Sequence, residues 1–265
     1  MKVEAITSSS NPLLKKIRAL HQRTFREKYS SYLIEGERLL EEALLKNIQL
    51  EQVITSEGFF KEGLGRLKDA NLTQLITVPD KLFAELSTTT NPIGIMAIAK
   101  ISQCQADKLF AGSQPLVVIA DAIQDPGNLG TLIRTSLAAR ASGLITTKGT
   151  VDPFNPKVVR SAMGASFALP SIWDLETAEA IQLCRDHGLK IIAAAAESKK
   201  FFWQTNLNQP VAIIIGNEGQ GISPTVLQTA DETIAIPMSD NCQSLNAAQA
   251  ATIMLFEAVR QRTTN

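Results

Sequence analysis

The sequence predicts an α/β protein whose second half is built on a mostly parallel sheet. From residue 115 onward, short apolar runs alternate with segments at helical spacing. Several of those runs, such as Leu116–Ala120 and Val211–Ile215, are apolar at every position, as a strand buried on both faces requires. The 265 residues are 45% hydrophobic and 20% charged, an ordinary globular balance in a chain long enough for one large domain or two moderate ones.

The elements follow in order. Asn11-Pro12 reads as a helix start, because asparagine caps free amides and proline suits the first turn. Leu13, Leu14, Ile17 and Leu20 then repeat at helical spacing. Tyr32–Ile34 is a strand, followed by Glu35-Gly36-Glu37 and a helix to about Lys46. Leu50–Thr55, Leu75–Val78 and Ile93–Ile101 are further strands, the last preceded by a turn at Asn91-Pro92. Residues 102–114 (SQCQADKLFAGSQ) are mixed and polar, and read as a linker between domains at 1–101 and 115–265. Beyond it come the strand Leu116–Ala120, a helix over Leu129–Arg140, a strand at Leu144-Ile145 and a helix opened by Asn155-Pro156. A helix over Thr177–His187 stops at Gly188. Strands at Lys190–Ala196, Val211–Ile215 and Thr233–Ile236, a short helix opened by Ser223-Pro224, and a long helix over Ser244–Arg262 complete the chain.

No run of about 18 apolar residues is present, and Met1–Asn11 lacks the apolar core of a signal peptide. Cys104, Cys184 and Cys242 stand far apart, which argues against a disulfide framework or a zinc site, so a cytoplasmic location is the default. The net charge is zero, but residues 1–30 carry seven Lys or Arg against two acids. Lys15, Lys16, Arg18, Arg23 and Arg26 in that stretch are candidate phosphate contacts, with a solvated helix face as the alternative.

Three loops after apolar strands are where chemistry is expected, because ligands of open parallel sheets bind beyond the carboxyl ends of strands. The first, Asp121–Arg134, places Asn128 to cap a helix and Gly130 and Arg134 on one helix face. Arg134 would reach back over Gly130 to the loop mouth, or else is a surface arginine. The second, GNEGQG at 216–221, has glycines that admit a ligand close to the backbone, but its spacing is not the dinucleotide fingerprint. Glu218 disfavours phosphate and suits a cationic or hydroxyl-bearing ligand, unless the loop is only a tight turn. The third, IPMSDNCQSLN at 236–246, leads into the last helix with Ser244 as a plausible cap and Asn246 in the first turn. His21 and His187 lie outside all three loops, which disfavours histidine-based acid–base chemistry.

Taken in order, N-x-G-x-x-x-R at 128–134, GNEGQG at 216–221, and IPM followed by SLNAAQA at 236–250 resemble the SpoU (TrmH) family of RNA ribose methyltransferases, in the SPOUT superfamily. DPFNPKVVRSAMGASFALP at 152–170 looks like that family's segment between its first two motifs. The stretches SSSNPLLKKIRAL and EGERLLEEAL resemble a substrate-binding domain related to ribosomal RNA-binding proteins. Gln249 departs from the pattern, where an apolar residue is expected.

The resemblance implies a parallel sheet with a deep trefoil knot, preceded by a smaller α/β RNA-binding domain, working as a homodimer without metal or membrane. It implies S-adenosyl-L-methionine as methyl donor, with backbone contacts at Gly216, Ile236 and Leu245, and methylation of a ribose 2′-hydroxyl, ribosomal RNA being favoured. It also implies Arg134 as the central catalytic residue with Asn128, Glu218, Ser244 and Asn246 around it. A free arginine is a poor base at neutral pH, so electrostatic stabilisation of the forming alkoxide is the favoured role for Arg134. A tRNA 2′-O-methyltransferase and a noncatalytic RNA-binding protein of the same fold are the alternatives.

Overall fold

In a computed structural model of the chain, Asn11 begins the first helix as expected, its side chain accepting from the Leu13 amide at 2.8 Å. The structure describes residues 2–62, 74–242 and 244–263. The elements run β1 (Lys2–Ala5), α1 (Pro12–Ala19), α2 (Arg23–Tyr29), β2 (Ser31–Glu35), α3 (Glu37–Leu45), β3 (Leu50–Ser56), α4 (Glu57–Glu62), β4 (Gln74–Val78), α5 (Asp80–Leu86) and β5 (Ile95–Lys100). Then come β6 (Leu116–Ala120), α6 (Pro126–Ala138), β7 (Gly143–Thr147), α7 (Pro156–Ala162), β8 (Ser171–Leu175) and α8 (Thr177–Asp186). The chain ends with β9 (Lys190–Ala194), β10 (Val211–Ile215), α9 (Pro224–Thr229), β11 (Glu232–Ile234) and α10 (Ala247–Thr263).

Two compact units result: residues 1–102 with 154–167, and residues 103–153 with 168–265. The first holds a five-stranded sheet in the order β1-β4-β3-β5-β2, with only β5 antiparallel to its neighbours. Of the apolar stripe read from the sequence, Leu14, Ile17 and Leu20 are buried in a core with Phe83 and Leu86 of α5 and Ile54, Ile76 and Ile98 of the sheet, and Leu13 packs partly buried against it. A second core joins Leu39, Leu40 and Ala43 of α3 to Ile34, Val53 and Ala97. Val159 of α7 is buried in that core too, and Phe154 lies 5.0 Å from the Tyr32 ring. Segment 154–167 therefore packs with the first unit, although it falls inside the span read as the second domain.

The second unit is a six-stranded sheet in the order β11-β9-β10-β6-β7-β8, parallel throughout. β7 and β8 are added on one side of β6. On the other side β10 is inserted between β6 and β9. Every residue of β6 and β10 is buried, in keeping with their unbroken apolar runs. Within the stretch 102–114, read as a linker, one side chain is buried. Leu109 is fully buried against β6 and β7, and a Cβ on Gly143 would stand 2.4 Å from its Cγ, so only glycine admits it. Phe110 stacks on His187 at 3.8 Å.

Two helix starts differ from expectation. α6 begins at Pro126, three residues before Leu129, because Asp125 accepts from the Asn128 amide and caps the helix. α10 begins at Ala247, where the Asn246 side chain accepts from the Ala248 and Gln249 amides. Asn246 is thus the cap assigned to Ser244, and Asn128 is released from capping. Gln249 is exposed, so its polarity disturbs no core.

Candidate active site

Strands β11, β9 and β10 are adjacent and parallel, so the loops after them gather at one end of the sheet. There they enclose a cavity of about 320 Å³. Its walls are Ala194–Glu197 after β9, Ile215–Ile222 after β10, Ile234–Ile236 with Met238 after β11, and Ser244, Leu245, Ala247, Ala250 and Met254 leading into and along α10. Gly216, Ile236 and Leu245, expected to meet a methyl donor, all line this one space. Gly216 is required by crowding: a Cβ would lie 2.3 Å from the Gly221 carbonyl oxygen and 2.8 Å from the Ile222 nitrogen.

The loop after β10 is also tied to the loop after β6, across the point where strand addition changes direction. Glu218 accepts from the amides of Gln124 and Asp125, each at 3.0 Å, and from Asn128 Nδ2 at 2.9 Å. Asn128 Oδ1 in turn accepts from Asn246 Nδ2 at 2.7 Å. Asn217 donates to the Ala122 carbonyl at 2.8 Å, and Thr147 Oγ1 accepts from the Ala122 amide at 3.1 Å. These two bonds hold Ala122 in a left-handed conformation (φ 55°) that costs a non-glycine residue ~1–2 kcal/mol. Below it the buried Asp121 carboxylate accepts from Thr147 and Thr177 hydroxyls at 2.7 and 2.8 Å.

Burial pushes the Glu218 carboxyl up, but the hydrogen bonds from Asn128 and the loop amides outweigh it and hold the group below the usual carboxylate range. A carboxylate so placed is a weak proton acceptor and a strong clasp. Its partners lie at the start of the helix that carries Arg134, not on Arg134 itself. Arg134 is exposed on α6 and has no hydrogen bond or ion pair among the described residues. Ser244 is exposed and lines the cavity.

In the first unit, Lys15 and Arg23 are exposed, with Arg23 paired to Glu27 at 2.7 Å. Arg18 donates to the Ser9 carbonyl at 2.8 Å and lies 3.7 Å from Glu85. Lys16 is paired with Glu51 at 2.5 Å. Arg26 differs from its expected role: it is buried, 3% exposed, and donates to the Leu20 carbonyl, so its guanidinium faces the interior rather than a phosphate. Charge spacing on the helical wheel does not reveal that burial.

Sequence reasoning did not single out Glu197, which brings a second carboxylate to the cavity wall. No motif marks it. Its only sequence signal is its place just beyond the apolar run Lys190–Ala196.

Fold and cavity define an α/β domain with a glycine-walled small-molecule site at the strand ends. A model of the SpoU rRNA methylase family matches residues 115–256, and one of the MRM3-like substrate binding domain matches residues 11–97. An uncharacterized tRNA/rRNA methyltransferase of Synechocystis is 34% identical over 98% of this chain and 95% of its own. The Bacillus subtilis 23S rRNA (guanosine(2553)-2′-O)-methyltransferase RlmP is 31% identical over 96% of this chain and 98% of its own. A crystal structure of an AdoMet-bound rRNA methyltransferase from Sinorhizobium meliloti superposes with a TM-score of 0.86 at 30% identity, covering 97% of this chain and 98% of that one. The chain belongs to the SpoU rRNA methylase family.

Proposed function

We propose that the protein transfers a methyl group from S-adenosyl-L-methionine to a ribose 2′-hydroxyl of ribosomal RNA. The observation that carries this reading is the convergence of Gly216, Ile236 and Leu245 on one cavity whose rim is bound through Glu218 to the helix of Arg134. The cavity suits the donor: apolar walls at Ile222, Ile236, Leu245 and Met254 fit a purine, glycine backbone admits close approach, and the lining side chains carry no positive charge among the described residues.

When bound, the donor supplies a methyl group on a sulfonium for in-line displacement by the hydroxyl oxygen. The protein's own residues do the rest. Arg134, exposed and unpaired among the described residues, binds the phosphate next to the target ribose and stabilises the forming alkoxide. The proton passes to solvent water, because Glu218 already accepts three hydrogen bonds and a phosphodiester is a weaker base than a carboxylate. Glu218, Asn128 and Asn246 are positioning residues that fix the first turn of α6, and Ser244 faces the reacting groups from the cavity wall.

The first unit serves as the RNA-recognition part, with Lys15, Arg18 and Arg23 as its phosphate contacts. Leu137 of α6 and Ile253 and Phe256 of α10 are exposed on helices that pack together, and they support a homodimer. Threading of the segment after β11 through the 216–222 loop would make the trefoil knot expected of this family. No helix among the described residues is long and apolar enough to cross a membrane. A cytoplasmic location belongs to the same proposal.

The test is transfer of labelled methyl into unmodified ribosomal and transfer RNA, with Arg134→Ala in parallel. Alkali-stable label in ribosomal RNA, absent with the variant, is the expected result. Label confined to transfer RNA would replace the substrate assignment. Donor binding without transfer to either would return the noncatalytic reading.

A further inference from the structure

Two carboxylates line the cavity, Glu218 and Glu197, and among the described residues no Lys, Arg or His lines it. The cavity wall therefore favours a cation. The two carboxylates stand in different situations. Glu218 accepts three hydrogen bonds from Gln124, Asp125 and Asn128 and is committed to the loop after β6. Glu197 is exposed and has no hydrogen bond or ion pair among the described residues. It follows Ala194, Ala195 and Ala196, which also line the cavity, so the wall beside it is formed by small side chains. The nearby cations are engaged elsewhere or lie outside the cavity: Lys200 pairs with Glu232 at 3.0 Å, and Lys199 is exposed and not part of the lining.

We propose that Glu197 is a donor-binding residue whose carboxylate pairs with a positively charged group of S-adenosylmethionine. This rests on the reading of the cavity as the donor site. The donor carries two cationic groups, the sulfonium and the α-ammonium, offset by one carboxylate. After transfer the sulfonium becomes a neutral thioether. A cavity with one uncommitted carboxylate and no lining cation thus holds the charged donor in preference to the neutral product if the contact is to sulfonium, and holds both if it is to the ammonium. No sequence motif marks this position, because it lies in the loop after β9 and acts through charge alone.

The experiment is direct calorimetric binding of three ligands to the intact protein and to Glu197→Gln: S-adenosylmethionine, S-adenosylhomocysteine and 5′-methylthioadenosine. Binding of S-adenosylmethionine to the wild type checks the donor site itself, so failure there strikes the cavity assignment. Thermal melting without ligand is expected to match between the two proteins, since Glu197 contacts nothing that its amide would lose. The expected result is a roughly tenfold weaker affinity for S-adenosylmethionine in Glu197→Gln with 5′-methylthioadenosine unchanged. S-adenosylhomocysteine unchanged places the contact on the sulfonium, and S-adenosylhomocysteine weakened to the same extent places it on the ammonium. Unchanged affinity for S-adenosylmethionine overturns the proposal. An equal loss for 5′-methylthioadenosine, which keeps only the nucleoside and thioether, also overturns it, because the contact would then be to the ribose rather than to charge. Glu197→Asp, which keeps the charge on a shorter arm, recovers part of the affinity and the same ligand order.

Discussion

Asn246 donates to Asn128 at 2.7 Å, joining the first residue before the last helix to the first turn of the helix that carries Arg134. Asn128 passes that connection on by donating to Glu218 at 2.9 Å. An amide is needed in the middle because it must accept on one side and donate on the other. Asn128→Ala removes both bonds and is expected to lower transfer roughly 10- to 100-fold with the protein still folded. Asn128→Asp is expected to be worse near neutral pH, since it sets a second carboxylate against Glu218. Two carboxylates so close raise the pKa of one, so this variant regains rate as pH falls from 8 to 6, whereas Asn128→Ala does not. Single-turnover transfer across that range decides it. Parallel profiles for the two variants would mean that Asn128 and Glu218 are not coupled.

Arg134 stands apart from that clasp, exposed and outside the cavity lining. Arg134→Ala is therefore expected to retain S-adenosylmethionine affinity within about threefold while transfer falls roughly 100- to 1,000-fold. Arg134→Lys keeps the charge but loses the planar fork that grips phosphate and alkoxide together, so it recovers little. Calorimetry and single-turnover rates on the same preparations separate the two effects. An equal loss of donor affinity would place the guanidinium in the donor pocket.

Gly216 tests the cavity wall itself. Because an added Cβ meets the Gly221 carbonyl at 2.3 Å, Gly216→Ala forces two backbone segments apart, and neither is a flexible side chain. The expected outcome is a loss of ~1–3 kcal/mol of stability and at least 100-fold weaker donor binding, as overpacking at a close backbone contact predicts. Gly219→Ala is the control. Its added Cβ meets only the Asn217 side chain, at 3.6 Å, so stability should stay close to wild type, although Gly219 also lines the cavity. Chemical denaturation with calorimetry on both variants measures this.

What could be read from the sequence follows from where each signal is generated. β6 and β10 are buried on both faces and so are apolar throughout, which makes them visible in any window. β8 and β1 are edge strands with partly or fully exposed residues, and Ser171–Leu175 and Lys2–Ala5 carry no such run. Local capping rules placed α1 and α7 because Asn-Pro stands immediately before each. Asp125-Pro126 carries the same signal for α6, but the apolar helical spacing begins only at Leu129 and draws the cap to Asn128. The role of Asn128 depends on residues 90 and 118 positions away, Glu218 and Asn246, and only folding brings these together. Arg26 shows the converse limit: its charge is plain in the sequence, and its burial against the Leu20 carbonyl is not.

A last expectation concerns acid stability, through Glu232 at the sheet edge. Burial raises its carboxyl, but hydrogen bonds from Lys190, Lys200 and Thr205 prevail and bring it down to about 2. The folded value lies below the ordinary ~4.3 of an unfolded chain, so folding is favoured wherever the group is ionised. That contribution is complete above about pH 4.5 and disappears as pH falls toward 2. The depression corresponds to ~3 kcal/mol at most, and screening of the partly exposed Lys190 and Lys200 reduces it to ~1–2 kcal/mol. Glu232→Gln is expected to lose this amount at pH 7 and little or nothing near pH 2, so the gap between the two proteins closes on acidification. Urea unfolding at intervals from pH 7 to pH 2 measures the gap. A constant difference across that range would mean that the loss arises from packing or from the Thr205 hydrogen bond at 2.9 Å, and not from the charge.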